Sequence, residues 1–96
     1  MNISKKNKKI TIQRYDSDKE EYVDNLTLWA EMKAHKWKNV VVAGNYASEL
    51  LQEVIVWKND KIEKGCRVKY NNKILDVLNA YSTEKETIII CRNLVS

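Results

Sequence analysis

The chain has no proline, and only two of its 96 residues are glycine. Gly44 and Gly65 stand alone, and two isolated glycines cannot build a glycine-rich loop around a phosphate. No linker, repeat or low-complexity block divides the sequence, so it reads as one domain over residues 1–96 with room for a single modest core. Histidine occurs once, at His35, and no serine or cysteine has a base assigned to it by spacing. The two cysteines, Cys66 and Cys91, form no CxxC motif and have no histidine near them in sequence. That excludes zinc-ligand spacing and a thioredoxin-type redox motif. Each lies in an apolar run, so both are expected to be buried, reduced thiols. No apolar stretch is long enough to span a bilayer, and the N-terminus lacks the apolar region of a signal peptide. The expectation is a non-enzymatic protein with no cofactor, no metal and no membrane contact, made in the cytosol or built into something assembled there.

What is present is charge, apolar residues and alternation. Charged residues make up 31% of the chain and apolar ones 44%, ordinary proportions for a globular domain. The net charge of +4 is local. Lys5, Lys6, Lys8 and Lys9 supply it, and the thirteen other basic residues balance thirteen acidic ones. Residues 1–9 therefore read as a basic, flexible tail, which could touch nucleic acid or an acidic partner.

Strand signals recur along the chain. In "KKITIQRY" Ile10 and Ile12 alternate with Thr11 and Gln13. "DSDKEEYVDN" is a solvated turn region. Its D-x-D start is not a calcium loop, because Glu21 stands where glycine is needed and Thr27 occupies the twelfth position. "LTLWAEMKAHK" places Leu26, Leu28, Ala30, Met32 and Ala34 on one face, with Thr27, Trp29, Glu31, Lys33 and His35 on the other. Its period of two predicts a strand despite several good helix formers. "NYASELLQE" predicts a short helix over about residues 45–53, with Asn45 as N-cap and Ala47, Leu50 and Leu51 on one side. "EVIVWK" and the doubly apolar "TIIICR" read as strands. "CRVKYNNKILDV" reads as a hairpin turning at Asn71-Asn72, since asparagine tolerates left-handed backbone. The sum is a mainly β protein: a small closed barrel of about six antiparallel strands, one short helix, and a long loop between strands 2 and 3.

The aromatics could stack on single-stranded nucleic acid, or simply fill a core and protomer contacts. Trp29 shares its face with Glu31 and Lys33 and is expected to be partly exposed, a candidate subunit contact.

The order of these elements resembles the head–tail joining proteins of tailed bacteriophages, also called head-completion, head-closure or stopper proteins. Trp29-Ala30 matches the family's Trp-Ala pair on the second strand. Arg67, Val68, Tyr70, Asn71, Asn72, Leu75 and Val77 follow its hairpin, and Cys91 its closing strand. The resemblance spans residues 8–92, with departures at three points. Val56-Trp57 replaces an Arg-aromatic pair, Asn72 replaces a glycine, and Leu75 is displaced by one position from the expected aromatic.

The resemblance implies a virion component, assembled in the bacterial cytoplasm. It implies a homo-oligomeric ring, a dodecamer in the virion and in some cases a monomer in isolation. The ring would bind the portal or adaptor on one side and tail proteins on the other, and hold packaged DNA without reading its sequence. The channel loop of such a protein falls on Lys36, Lys38, Asn39, Val40, Val41, Val42, Ala43, Gly44 and Asn45. Small and β-branched residues there could pack against other copies at a ring axis, and the two lysines could meet phosphate. Equally, the valines could form another strand and lengthen a hairpin. A tail-terminator-like ring protein and a small nucleic-acid-binding barrel using Lys5 to Lys9 are the alternative functions.

Overall fold

Alternation of buried and exposed side chains organises the chain into antiparallel strands. The computed structural model describes residues 5–33, 36–42 and 45–93, of which 36–42 and 45–50 are described by backbone alone. Ala34, His35, Ala43 and Gly44 lie outside the described residues. The strands are β1 (Lys8–Asp16), β2 (Glu21–Met32), β3 (Lys36–Val42), β4 (Asn45–Trp57), β5 (Arg67–Tyr70), β6 (Lys73–Ser82) and β7 (Glu86–Asn93).

Their order is β2-β1-β5-β6-β7-β4-β3, and β2 also pairs with β4. β2 is long enough to change partner along its length: it follows β1 up to Ala30, then pairs through Ala30–Met32 with Val54–Val56 of β4. That second pairing closes β2, β1, β5, β6, β7 and β4 into a six-stranded, barrel-like ring, which removes the free edges of those strands where they pair. The expected mainly β architecture is thus what the chain forms.

Two details of the expectation are corrected. Residues 45–53, read as a helix, belong to the long strand β4. A helix of two turns gains too little from its own hydrogen bonds to be stable alone. Extended, the same residues pair one by one with the valine-bearing segment before them. For the same reason the long loop between strands 2 and 3 is mostly strand: residues 36–42 form β3, and the hairpin reading of the valines holds.

The core lies inside the ring. Ile10 and Ile12 pair with Leu28 and Leu26, Val68 with Leu75, Val77 with Cys91, and Val54 with Ile89. Ile10, Ile12, Val54, Val56, Val68, Ile89 and Cys91 are fully buried. Each such aliphatic side chain contributes roughly 1.5–3 kcal/mol relative to its exposed state. The segment between β4 and β5 brings Ile62 over one end of the ring, where it joins the same core. Thr87, also buried, holds that segment. Its Oγ1 accepts from the Asn59 amide at 2.9 Å, donates to the Asn59 carbonyl at 3.3 Å, and lies 2.8 Å from Ser82 Oγ. The β5–β6 turn is built as expected, with Asn71 at φ 47° and Asn72 at φ 64°, the left-handed pair of a tight hairpin.

Cys66 and Cys91 are both buried and free. They flank Val77: Cys91 is its register partner, and the Cys66 carbonyl accepts from the Val77 amide at 3.1 Å. Two strand spacings, roughly 10 Å, separate such neighbours, more than a disulfide can span. Burial, with a smaller contribution from the Asp76 carboxylate, pushes the Cys91 thiol up to about 12. The native fold therefore holds the proton more tightly than the unfolded chain does. The stabilisation is complete below about pH 9 and is lost as pH rises toward 12. Unfolding free energies measured across this range should fall for the parent protein by up to about 4 kcal/mol more than for Cys91→Val. Parallel curves for the two proteins would contradict the assignment. Neither thiol should label before denaturation.

Candidate functional site

The candidate channel segment is a two-stranded ribbon. Seven residue pairs, from Lys36↔Leu51 to Val42↔Asn45, join β3 to the first half of β4. At about 3.3 Å per residue the ribbon is on the order of 20 Å long. The described pairing of β7 with β4 reaches the Leu51↔Arg92 pair, and among the described residues 45–50 pair with β3 alone. Among the described residues β3 has no partner except β4. The overall extents of 48 × 35 × 26 Å suit a barrel carrying such an extension.

The ribbon's base is fixed by polar contacts. The Lys33 amide donates to the Glu53 carbonyl at 2.9 Å, and Gln52 Nε2 donates to the Lys33 carbonyl at 3.2 Å. The register also shifts by one residue there, from Met32↔Val54 to Lys36↔Leu51. Within the ribbon, Lys38 is paired with Glu49, Asn39 with Ser48, Val40 with Ala47, and Val41 with Tyr46. The valines thus sit at the distal part, and Lys36 and Lys38 at the proximal part.

The ribbon leaves the ring at the end opposite the Ile62 plug. That open end is a cavity of about 260 Å³ lined by Lys8, Met32, Gln52, Tyr70, Lys73 and Leu75. Two lysines lie on its rim. On the ribbon side Lys33, Lys36 and Lys38 are matched by Glu31, Glu49 and Glu53, so the two rim lysines give this end of the barrel a modest excess of basic residues. Lys73 was not legible as part of a site, because only the β5–β6 hairpin returns it to the end where β1 begins.

Trp29 is elsewhere, on the outer wall. It is 57% exposed, and Trp57 beside it on β4 is 58% exposed. With Lys6, Thr27 and Leu28 the two indoles line a groove of about 340 Å³. The Lys6 ammonium sits 3.9 Å above the Trp57 ring and is paired with Glu86. Of the basic N-terminal segment, then, Lys6 is tied to the wall and Lys8 and Lys9 open β1. Trp57 was missed as a partner of Trp29 because their apposition depends on the β2–β4 closure, a contact between residues far apart in sequence. The D-x-D start is spent on its own turn, with Asp16 Oδ1 accepting from the amides of Asp18 at 2.9 Å and Lys19 at 3.3 Å.

Neither a family model nor a curated protein sequence matches this chain. No helix among the described residues is long and apolar enough to cross a membrane.

Proposed function

We propose that this protein is a structural head–tail connector of a tailed bacteriophage, a non-enzymatic ring component that retains packaged DNA and joins the tail. One observation carries the reading: a two-stranded ribbon extends from the basic, open end of an otherwise closed barrel. A hairpin with no third strand is marginal in water, and an edge at Val40, Val41 and Val42 that has no partner among the described residues invites pairing with other chains. Both liabilities disappear if several ribbons meet around one axis. There, Lys8 and Lys73 on the rim, with Lys36 and Lys38 in the proximal part of the ribbon, would bind a polyanion through phosphate, with a strong dependence on salt and none on sequence. The order of strands, with Trp29-Ala30 on β2 and the Asn71-Asn72 hairpin following, supports the same reading by its resemblance to the family.

The test is complementation. DNA-filled heads assembled without this protein should leak DNA and fail to join tails, and the purified protein added back should restore both. Heads that retain DNA and accept tails in its absence would overturn the proposal.

A further inference from the structure

The inward face of the barrel does not end where its apolar core ends. Toward the open mouth, five strands each place one further side chain two residues beyond a core residue. These are Lys8 beyond Ile10 on β1, Met32 beyond Ala30 on β2, Gln52 beyond Val54 on β4, Tyr70 beyond Val68 on β5, and Lys73 beyond Leu75 on β6. Side chains two apart on a strand share a face, so all five belong to the inward row. With Leu75 they line the cavity of about 260 Å³.

The cavity is graded from apolar to cationic. Leu75 is 2% exposed, and Met32 and Tyr70 pack against the core, so the inner part is apolar. Lys8 and Lys73 are exposed and form the rim. Neither takes part in an ion pair among the described residues. Among those residues no carboxylate lines the cavity. Glu31, Glu53 and Asp76 alternate with the inward row and so face outward. There Lys33 meets Glu31 at 3.4 Å and Arg92 meets Asp76 at 3.7 Å. The mouth thus combines an apolar floor with two ammonium groups that have no counter-charge beside them.

We infer that the barrel mouth is a binding site for a small amphiphilic anion: a carboxylate or phosphate ester on a short apolar body. The anionic head group meets the Lys8 and Lys73 ammoniums through charge-assisted hydrogen bonds. The body lies against Met32, the Tyr70 ring and Leu75, where it leaves water. Gln52 is fixed in the wall, its Nε2 donating to the Lys33 carbonyl at 3.2 Å. Size narrows the class. The cavity equals roughly nine water volumes, enough for a chain of about six carbons or a single ring and too little for a long-chain lipid. Mouths of β-barrels are a recurrent place for such pockets. The inference goes beyond the connector reading and does not rest on it, because one chain supplies the whole site.

Met32 is one of two methionines, so its isotope-labelled methyl group reports on the cavity by NMR. The purified protein is titrated at fixed ionic strength with hexanoate, hexyl phosphate, hexanol, hexylammonium and inorganic phosphate. At least one of the two amphiphilic anions should move the Met32 methyl signal saturably, and the tighter of them names the head group. Hexanol, hexylammonium and inorganic phosphate should each bind about tenfold more weakly or worse. Lys8→Ala/Lys73→Ala should weaken the anion about tenfold, and Lys8→Gln/Lys73→Gln, which keeps a polar rim, should lose as much. Variants that bind the anion like the parent would remove the lysines from the site. Hexanol or hexylammonium matching the better anion would overturn the anionic part of the assignment, and inorganic phosphate matching it would overturn the apolar part. A Met32 methyl unmoved by both anions would overturn the site itself. Heads and DNA are absent from the titration, so its failure leaves the connector reading standing, and failed complementation of heads leaves this site standing.

Discussion

A chain whose residues 40–47 are replaced by an Asn-Gly turn should fold like the parent, yet heads completed with it should package DNA and then lose it. The cut follows the register. Asn39↔Ser48 becomes the last pair of a shorter hairpin, and asparagine-glycine suits the two-residue turn that closes it. The closed ring is made by β1, β2, β5, β6, β7 and the second half of β4, none of which pairs with the removed residues. Shortening a connection also changes the closure entropy by less than about 1 kcal/mol. Circular dichroism and thermal unfolding of the isolated variant should therefore match the parent closely. If ribbons meeting at an axis hold the DNA, their loss should cut infectious particles by orders of magnitude, with packaging unimpaired. Full infectivity would remove the ribbon from the mechanism. An unfolded variant would mean that the distal ribbon supports the barrel. Lys36 and Lys38 remain in this variant, so a comparison with Lys36→Ala/Lys38→Ala separates plugging from phosphate contact. The lysine variant should show a milder defect that varies with salt, because screened charges act weakly.

The sequence was most legible where local chemistry and tertiary partners agree. Ile10 and Ile12 on β1, the alternation from Leu26 to Met32 and the Asn71-Asn72 turn all followed from period or backbone preference, and the fold keeps each. Residues 45–53 misled because "NYASELLQE" has helical spacing and a capping residue, while its strand state depends on backbone pairing with β3. The segment 36–42 allowed loop or strand for the same reason: β-branched residues favour extension, but only a partner makes it a strand. Closure by β2 and β4, the Trp29–Trp57 groove and the lysine rim with Lys73 all depend on pairings between distant residues, which no local window carries. Thr87 was hidden in another way. A single hydroxyl inside "TIIICR" reads as β propensity, whereas its buried Oγ1 fastens the segment that carries Ile62.

Two adjacent isoleucines on β7 offer the sharpest check on register. Ile89 is fully buried and lies in the core cluster, opposite Val54 and Ala80. Ile88 lies opposite Ile55 and Tyr81, outside that cluster. Ile89→Ala should cost about 2–5 kcal/mol in chemical denaturation, because the removed atoms leave a cavity that closed strands cannot collapse around. A domain this small has little stability to spare, so the variant should be largely unfolded near its parent's working temperature. Ile88→Ala should cost about half as much or less, since Ile88 lies on the opposite face of β7 from the core cluster. The two isoleucines exchange roles if β7 is slipped by one residue against β4, because side chains alternate between faces. Equal destabilisation by the two substitutions would contradict the register.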